Sequence, residues 1–144
     1  MIITKDSHLD HGLTSEHLKL IFEQFGDRNE FFIETITIPA PLPLIPCLLF
    51  GPIMGDEKID DLRVEWEKRG DRPYPSRILF GARPRLQSRL TVVCGPHQEH
   101  KCILYTAFGG PLAPKEVGDP TIATSPKDIS ASANFWAEHA LAMP

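Results

Sequence analysis

The pair Arg89-Leu-Thr-Val-Val-Cys94 and Lys101-Cys-Ile-Leu-Tyr-Thr-Ala-Phe108 decides the fold. Both runs are rich in β-branched and aromatic residues, the side chains that pack best on a pleated surface, and they predict two antiparallel strands. The connection runs from Gly95 to Lys101, seven residues, longer than the commonest hairpin loops. With Cys94 opposite Cys102, Val92 faces Leu104 and Leu90 faces Thr106. Gly109-Gly110-Pro111 stops the second strand.

On the N-terminal side, Glu30 to Ile38 predicts a third strand with Phe32, Ile36 and Ile38 on one face. Ahead of it lies a helix from about Ser15 to Phe25. Thr14 is its N-cap, Leu13 and Leu18 form a hydrophobic staple, and Leu18, Ile21, Phe22 and Phe25 make one apolar stripe ended by a left-handed Gly26. Prolines 39, 41, 43 and 46 predict an extended crossover in which Leu42, Leu44 and Ile45 seek burial, then a short strand at Cys47 to Phe50. Leu62 to Lys68 alternates as a half-buried strand, with Leu62, Val64 and Trp66 against Arg63, Glu65 and Glu67; a helix from Asp56 through Trp66 fits less well, and Arg77 to Phe80 reads as another strand. A last helix is expected from about Ala131 to Ala142, capped by Ser130. This order gives an α+β class: a mainly antiparallel sheet with an N-terminal and a C-terminal helix packed on it.

The chain has 144 residues, 42% apolar and 24% charged. Those values suit one globular domain over 1–144 and exclude wholesale disorder. Charge enters before the apolar core of a signal peptide can form, and no stretch approaches the ~18 apolar residues of a membrane span, so a cytoplasmic, non-membrane protein is expected. Three cysteines are too few for a secreted disulfide framework, which makes reduced thiols the default.

The net charge of −4 conceals a basic middle. Residues 63–89 carry eight basic and three acidic side chains, and seven of the eight are arginine. Arginine's planar fork suits phosphate and carboxylate oxygens, so RNA or a small phosphorylated or carboxylated ligand fits this segment, as does simple pairing with the surplus acids on either side. Duplex DNA is disfavoured because the whole lacks a general positive field. The prolines and the aromatic last helix suit a homo-oligomer and intramolecular packing alike.

Two clusters carry candidate chemistry. Asp6-Ser7-His8-Leu9-Asp10-His11, with His17 in the helix, brings imidazoles together with carboxylates that can fix their tautomers; a solvated turn with local caps is the alternative. Cys94, His97, His100 and Cys102 are a donor set suited to tetrahedral zinc, at tighter spacing than structural sites use; buried thiols on adjacent strands compete with it, and no cofactor is otherwise implied. Metal-free RNA cleavage needs a base for the 2′-hydroxyl, donors for the charge building on phosphorus, and an acid for the leaving oxygen. His8 and His11 would supply the proton transfers, Arg72 and Arg77 would hold the phosphate, and Thr106 or Tyr105 would donate from the central strand; the alternative is a binding or regulatory module without catalysis, in which these groups lie scattered and solvated.

The layout of a histidine-bearing first helix region, Ser7-His8-Leu9-Asp10-His11, followed by a sheet containing Ile103-Leu-Tyr-Thr-Ala-Phe108, resembles the barnase, EndoU, colicin and RelE-like nuclease domains of bacterial toxins. The resemblance implies histidine, arginine and a strand hydroxyl around a scissile phosphate. The acidic balance and the proline-rich 39–52 depart from that layout. The blocks His8–Thr14 and Tyr105–Pro114 also resemble those of bacterial proteins, which implies origin and not activity.

Overall fold

The computed structural model describes residues 1–51, 63–68, 75–81, 83–116, 119 and 125–143. In chain order the elements are β1 (His8–Leu9), α1 (Ser15–Phe25), β2 (Phe32–Thr37), β3 (Ile45–Cys47), β4 (Leu49–Phe50), β5 (Arg63–Glu67), β6 (Ser76–Phe80), β7 (Arg85–Gln87), β8 (Arg89–His97), β9 (Lys101–Gly109), α2 (Pro126–Glu138) and β10 (Ala140–Met143). The class is α+β, with antiparallel pairs predominating in the sheets. Among the described residues no helix is long and apolar enough to cross a membrane. The chain divides into two compact units, Met1–Cys47 with Leu86–Leu112 and Leu48–Arg85 with Ala113–Pro144.

The first unit is built on a sheet ordered β1-β9-β8-β2, in which β1 runs parallel to β9 and the other pairs are antiparallel. Helix α1 begins where its signals place it. Thr14 accepts from the His17 backbone N–H, and the His17 ring accepts the Thr14 N–H in return, a capping box in which histidine stands at the usual Glu or Gln position. Ile21 and Phe25 are buried in one core with Phe32, Ile38, Leu90, Val92, Cys94, Leu104 and Ala107, and Leu18 packs beside them. Phe22 departs from the expected stripe and is 38% exposed. Gly26 is right-handed (φ −61°), because the chain continues into a turn closed by Gly26 N–H to Phe22 O and Arg28 N–H to Phe25 O, so no left-handed stop is needed.

The β8–β9 hairpin is longer and its loop shorter than the sequence implies. Strand β8 continues through Pro96 to His97, leaving Gln98 to His100 as the loop before Lys101, whose φ is +65°. His97 Nδ1 accepts the backbone N–H groups of Glu99 and His100, both at 3.2 Å, which rewards the tighter turn. The register is also shifted. The tighter turn sets Cys94 opposite Leu104, and an irregularity at Val93/Cys94, which leaves Tyr105 as an extra residue in β9, shifts the pairing by one more, so that Val92 faces Ala107 and Leu90 faces Gly109.

The proline segment turns instead of extending. Leu42 N–H bonds to Pro39 O across the cis Ala40–Pro41 bond, Ile45 is buried in β3, and Leu44 faces solvent. Strand β3 pairs with β7. It also passes so close to β9 that a Cβ on Gly109 would lie 2.7 Å from the Pro46 carbonyl oxygen.

The second unit is a sheet ordered β4-β10-β6-β5. Helix α2 starts earlier than expected, because Ser125 accepts the Asp128 N–H at 3.1 Å and Pro126 occupies the first turn, a stronger start than Ser130 offers. It also ends earlier, at Glu138. Residues 140–143 form β10, parallel to β6 and antiparallel to β4. Strand β5 exists as predicted, but it is the sheet's edge and Trp66 is 64% exposed. Leu62 lies outside the described residues.

Candidate functional site

The N-terminal segment is laced along β9 before α1 begins. Ile2 N–H bonds to Cys102 O and Leu104 N–H to Ile2 O; farther on, Ser7 Oγ donates to Leu104 O at 2.6 Å and Asp10 N–H to Ala107 O at 3.0 Å. These bonds bring His8 level with Thr106, whose Oγ1 donates to the His8 carbonyl at 2.7 Å. His11 follows in the turn leading to α1, and both rings are exposed.

The extra residue in β9 decides which side chains share the outer face. Leu104 and Ala107 are both fully buried in the core although they are three apart, so the two residues between them, Tyr105 and Thr106, both lie outside it. Tyr105 is 43% exposed and lies over Gly95, where a Cβ would come within 2.7 Å of the phenolic oxygen. Val93 and Ile33 continue the Thr106 row across β8 and β2, and Ile33 is 42% exposed. The result is a partly apolar sheet face with an aromatic ring, two hydroxyls and one imidazole in adjoining positions. The sequence named Tyr105 and Thr106 but missed Gly95, whose signal was a glycine inside a run of strand residues.

The other predicted residues fall elsewhere. His17 is a buried structural histidine: Nδ1 accepts from the Thr14 N–H at 3.0 Å, so Nε2 carries the proton and donates to Pro43 O at 2.8 Å. Arg77 belongs to the second unit, where its Nη1 donates to the carbonyls of Trp136 and Ala137 at the end of α2. Arg72 lies outside the described residues.

The four zinc candidates are not gathered around one point. Cys94 and Cys102 are buried on the core side, while His97 uses its Nδ1 to cap the hairpin turn and His100 is exposed. Among the described residues no group of three or more His, Cys, Asp or Glu side chains is placed to hold a metal ion. Burial, with Cys102 as a neighbour, pushes the Cys94 thiol up to about 12, the opposite of what a reactive thiolate needs.

Comparison with protein-family models, with curated proteins and with solved structures finds no match to this chain.

Proposed function

We propose that the β1–β9 face binds single-stranded RNA and cleaves it without a metal. The observation supporting this reading is the irregularity in β9 that sets Tyr105 and Thr106 together on the outer face, level with His8. Such irregularities commonly re-aim side chains beside active sites. The exposed Tyr105 ring is a platform on which an unpaired base stacks. His8 takes the proton of the 2′-hydroxyl, and the 2′-oxygen then attacks phosphorus. The bond to the 5′-oxygen breaks, and that oxygen leaves with a proton from His11. The products are a 2′,3′-cyclic phosphate and a 5′-hydroxyl. Tyr105 Oη donates to the charged phosphorus oxygens. Thr106 spends its proton on the His8 carbonyl and therefore acts as a positioning residue.

That same bond favours a second reading, RNA binding without cleavage, because it removes one expected proton donor from the reaction. RNA degradation by the purified chain in the presence of chelator, beside His8→Ala/His11→Ala, separates the two. The proposal expects a loss of about 100-fold or more in the double variant. Cleavage undiminished by the substitutions removes the site, and binding without cleavage by the unsubstituted chain establishes the second reading.

A further inference from the structure

The second unit holds a built cavity of about 290 Å³ lined by Trp66, Arg77, Glu116, Ala133, Trp136 and Ala137. Strand pairing places Trp66 opposite Arg77, and Ala133, Trp136 and Ala137 share one helical face of α2 at i, i+3, i+4 spacing. The segment 114–116 closes the wall. Trp136 Nε1 donates to Pro114 O at 3.0 Å, Ser132 Oγ donates to Lys115 O, and Ser76 Oγ donates to Glu116 Oε1 at 3.0 Å. The walls are thus tied to one another before any ligand arrives, which reduces the ordering cost of binding.

Arg77 is the informative group. Among the described residues both of its hydrogen bonds, to the Trp136 and Ala137 carbonyls, use Nη1. These bonds pin the guanidinium at the α2 C-terminus, where a cation is favoured, and leave the Nε–Nη2 edge, a pair of parallel donors that matches a carboxylate. Trp66, its cross-strand neighbour in β5, is 64% exposed and lines the same cavity.

We infer that this cavity binds a small planar aromatic monocarboxylate, its ring against Trp66 and its carboxylate on the Nε–Nη2 edge of Arg77. The volume lies at the lower end of small-molecule sites, enough for a single-ring compound. This site is independent of the RNA-cleaving face.

The chain's tryptophans are two, Trp66 and Trp136, and both line the cavity, so intrinsic fluorescence reports on it directly. Titration with benzoate is expected to give a saturable change. Benzyl alcohol, of similar shape without the charge, is expected to bind at least about ten-fold more weakly. Trp66→Leu, a change at an exposed edge position that leaves the Arg77–α2 bonds in place, should weaken benzoate at least about ten-fold, read from Trp136. Arg77→Gln should do the same. No saturable change with benzoate, equal affinity for benzyl alcohol, or undiminished affinity in Trp66→Leu would each overturn the inference.

Discussion

Replacing His17 tests whether this histidine serves the fold or the chemistry. Its ring is fully buried; Nδ1 accepts the Thr14 N–H, with the Thr14 hydroxyl also 2.9 Å away, and Nε2–H donates to Pro43 O. His17→Ala leaves the Thr14 N–H at the start of α1 and the Pro43 carbonyl without the ring; both bonds are only part-buried, so water replaces some of the loss and the two together cost about 1–2 kcal/mol. Loss of the fully buried ring leaves a cavity costing about 2–3 kcal/mol more, so the total is about 3–5 kcal/mol, a large part of the roughly 5–15 kcal/mol that holds a domain together. His17→Gln keeps an acceptor for the Thr14 N–H, the usual capping-box arrangement, and should cost only about 1–2 kcal/mol. Urea denaturation followed by far-ultraviolet circular dichroism gives both values. A His17→Ala protein within about 0.5 kcal/mol of the unsubstituted chain, or a Gln variant as damaged as the Ala variant, would refute the capping argument.

Two further outcomes follow from the electrostatics. Because the Cys94 thiol is pushed up to about 12 from an ordinary value of 9.0, the folded state resists its ionisation. The associated stability is full below pH 9 and is lost as pH rises toward 12, so alkaline denaturation should soften in Cys94→Ala, and a thiol reagent at pH 8 should label the native chain far more slowly than the unfolded one. Lys101 Nζ donates to Asp27 Oδ1 at 2.8 Å and holds that carboxyl below its ordinary value. A depressed carboxyl contributes stability above its unfolded value and loses it as pH falls through the folded one; carboxyl-carbon NMR should show Asp27 titrating low in the native chain and returning to the usual range in Lys101→Ala.

Local signals were legible where local physics decides. Thr14, Leu18, Ile21 and Phe25 fix α1, and the alternation of Phe32, Ile36 and Ile38 fixes β2 and its buried face. Ala140-Leu-Ala-Met143 illustrates the opposite case. These are among the best helix formers, yet they form a strand because β6 and β4 offer backbone partners on either side, a long-range gain that local propensity does not contain. The extra residue at Tyr105 is likewise invisible in a run of unbroken strand formers; without it Leu90 would face Phe108 instead of Gly109, and the rest of the difference from the expected Thr106 comes from the tighter turn. Trp66 follows a faithful period of two, but periodicity does not say that β5 lies at an edge. At the candidate site, His8 and Thr106 were both named in advance. Their adjacency rests on a parallel pairing of only two residues, His8 and Leu9, too short to leave a pattern.

The central claim stands or falls on the chemistry of the cut. An oligodeoxynucleotide carrying a single ribonucleotide should be cleaved only on the 3′ side of that residue, in chelator, leaving a 2′,3′-cyclic phosphate that mass spectrometry identifies. Cleavage of the all-deoxy control, or a 3′-hydroxyl on the upstream fragment at the cut, would contradict attack by a 2′-oxygen and with it the role proposed for His8.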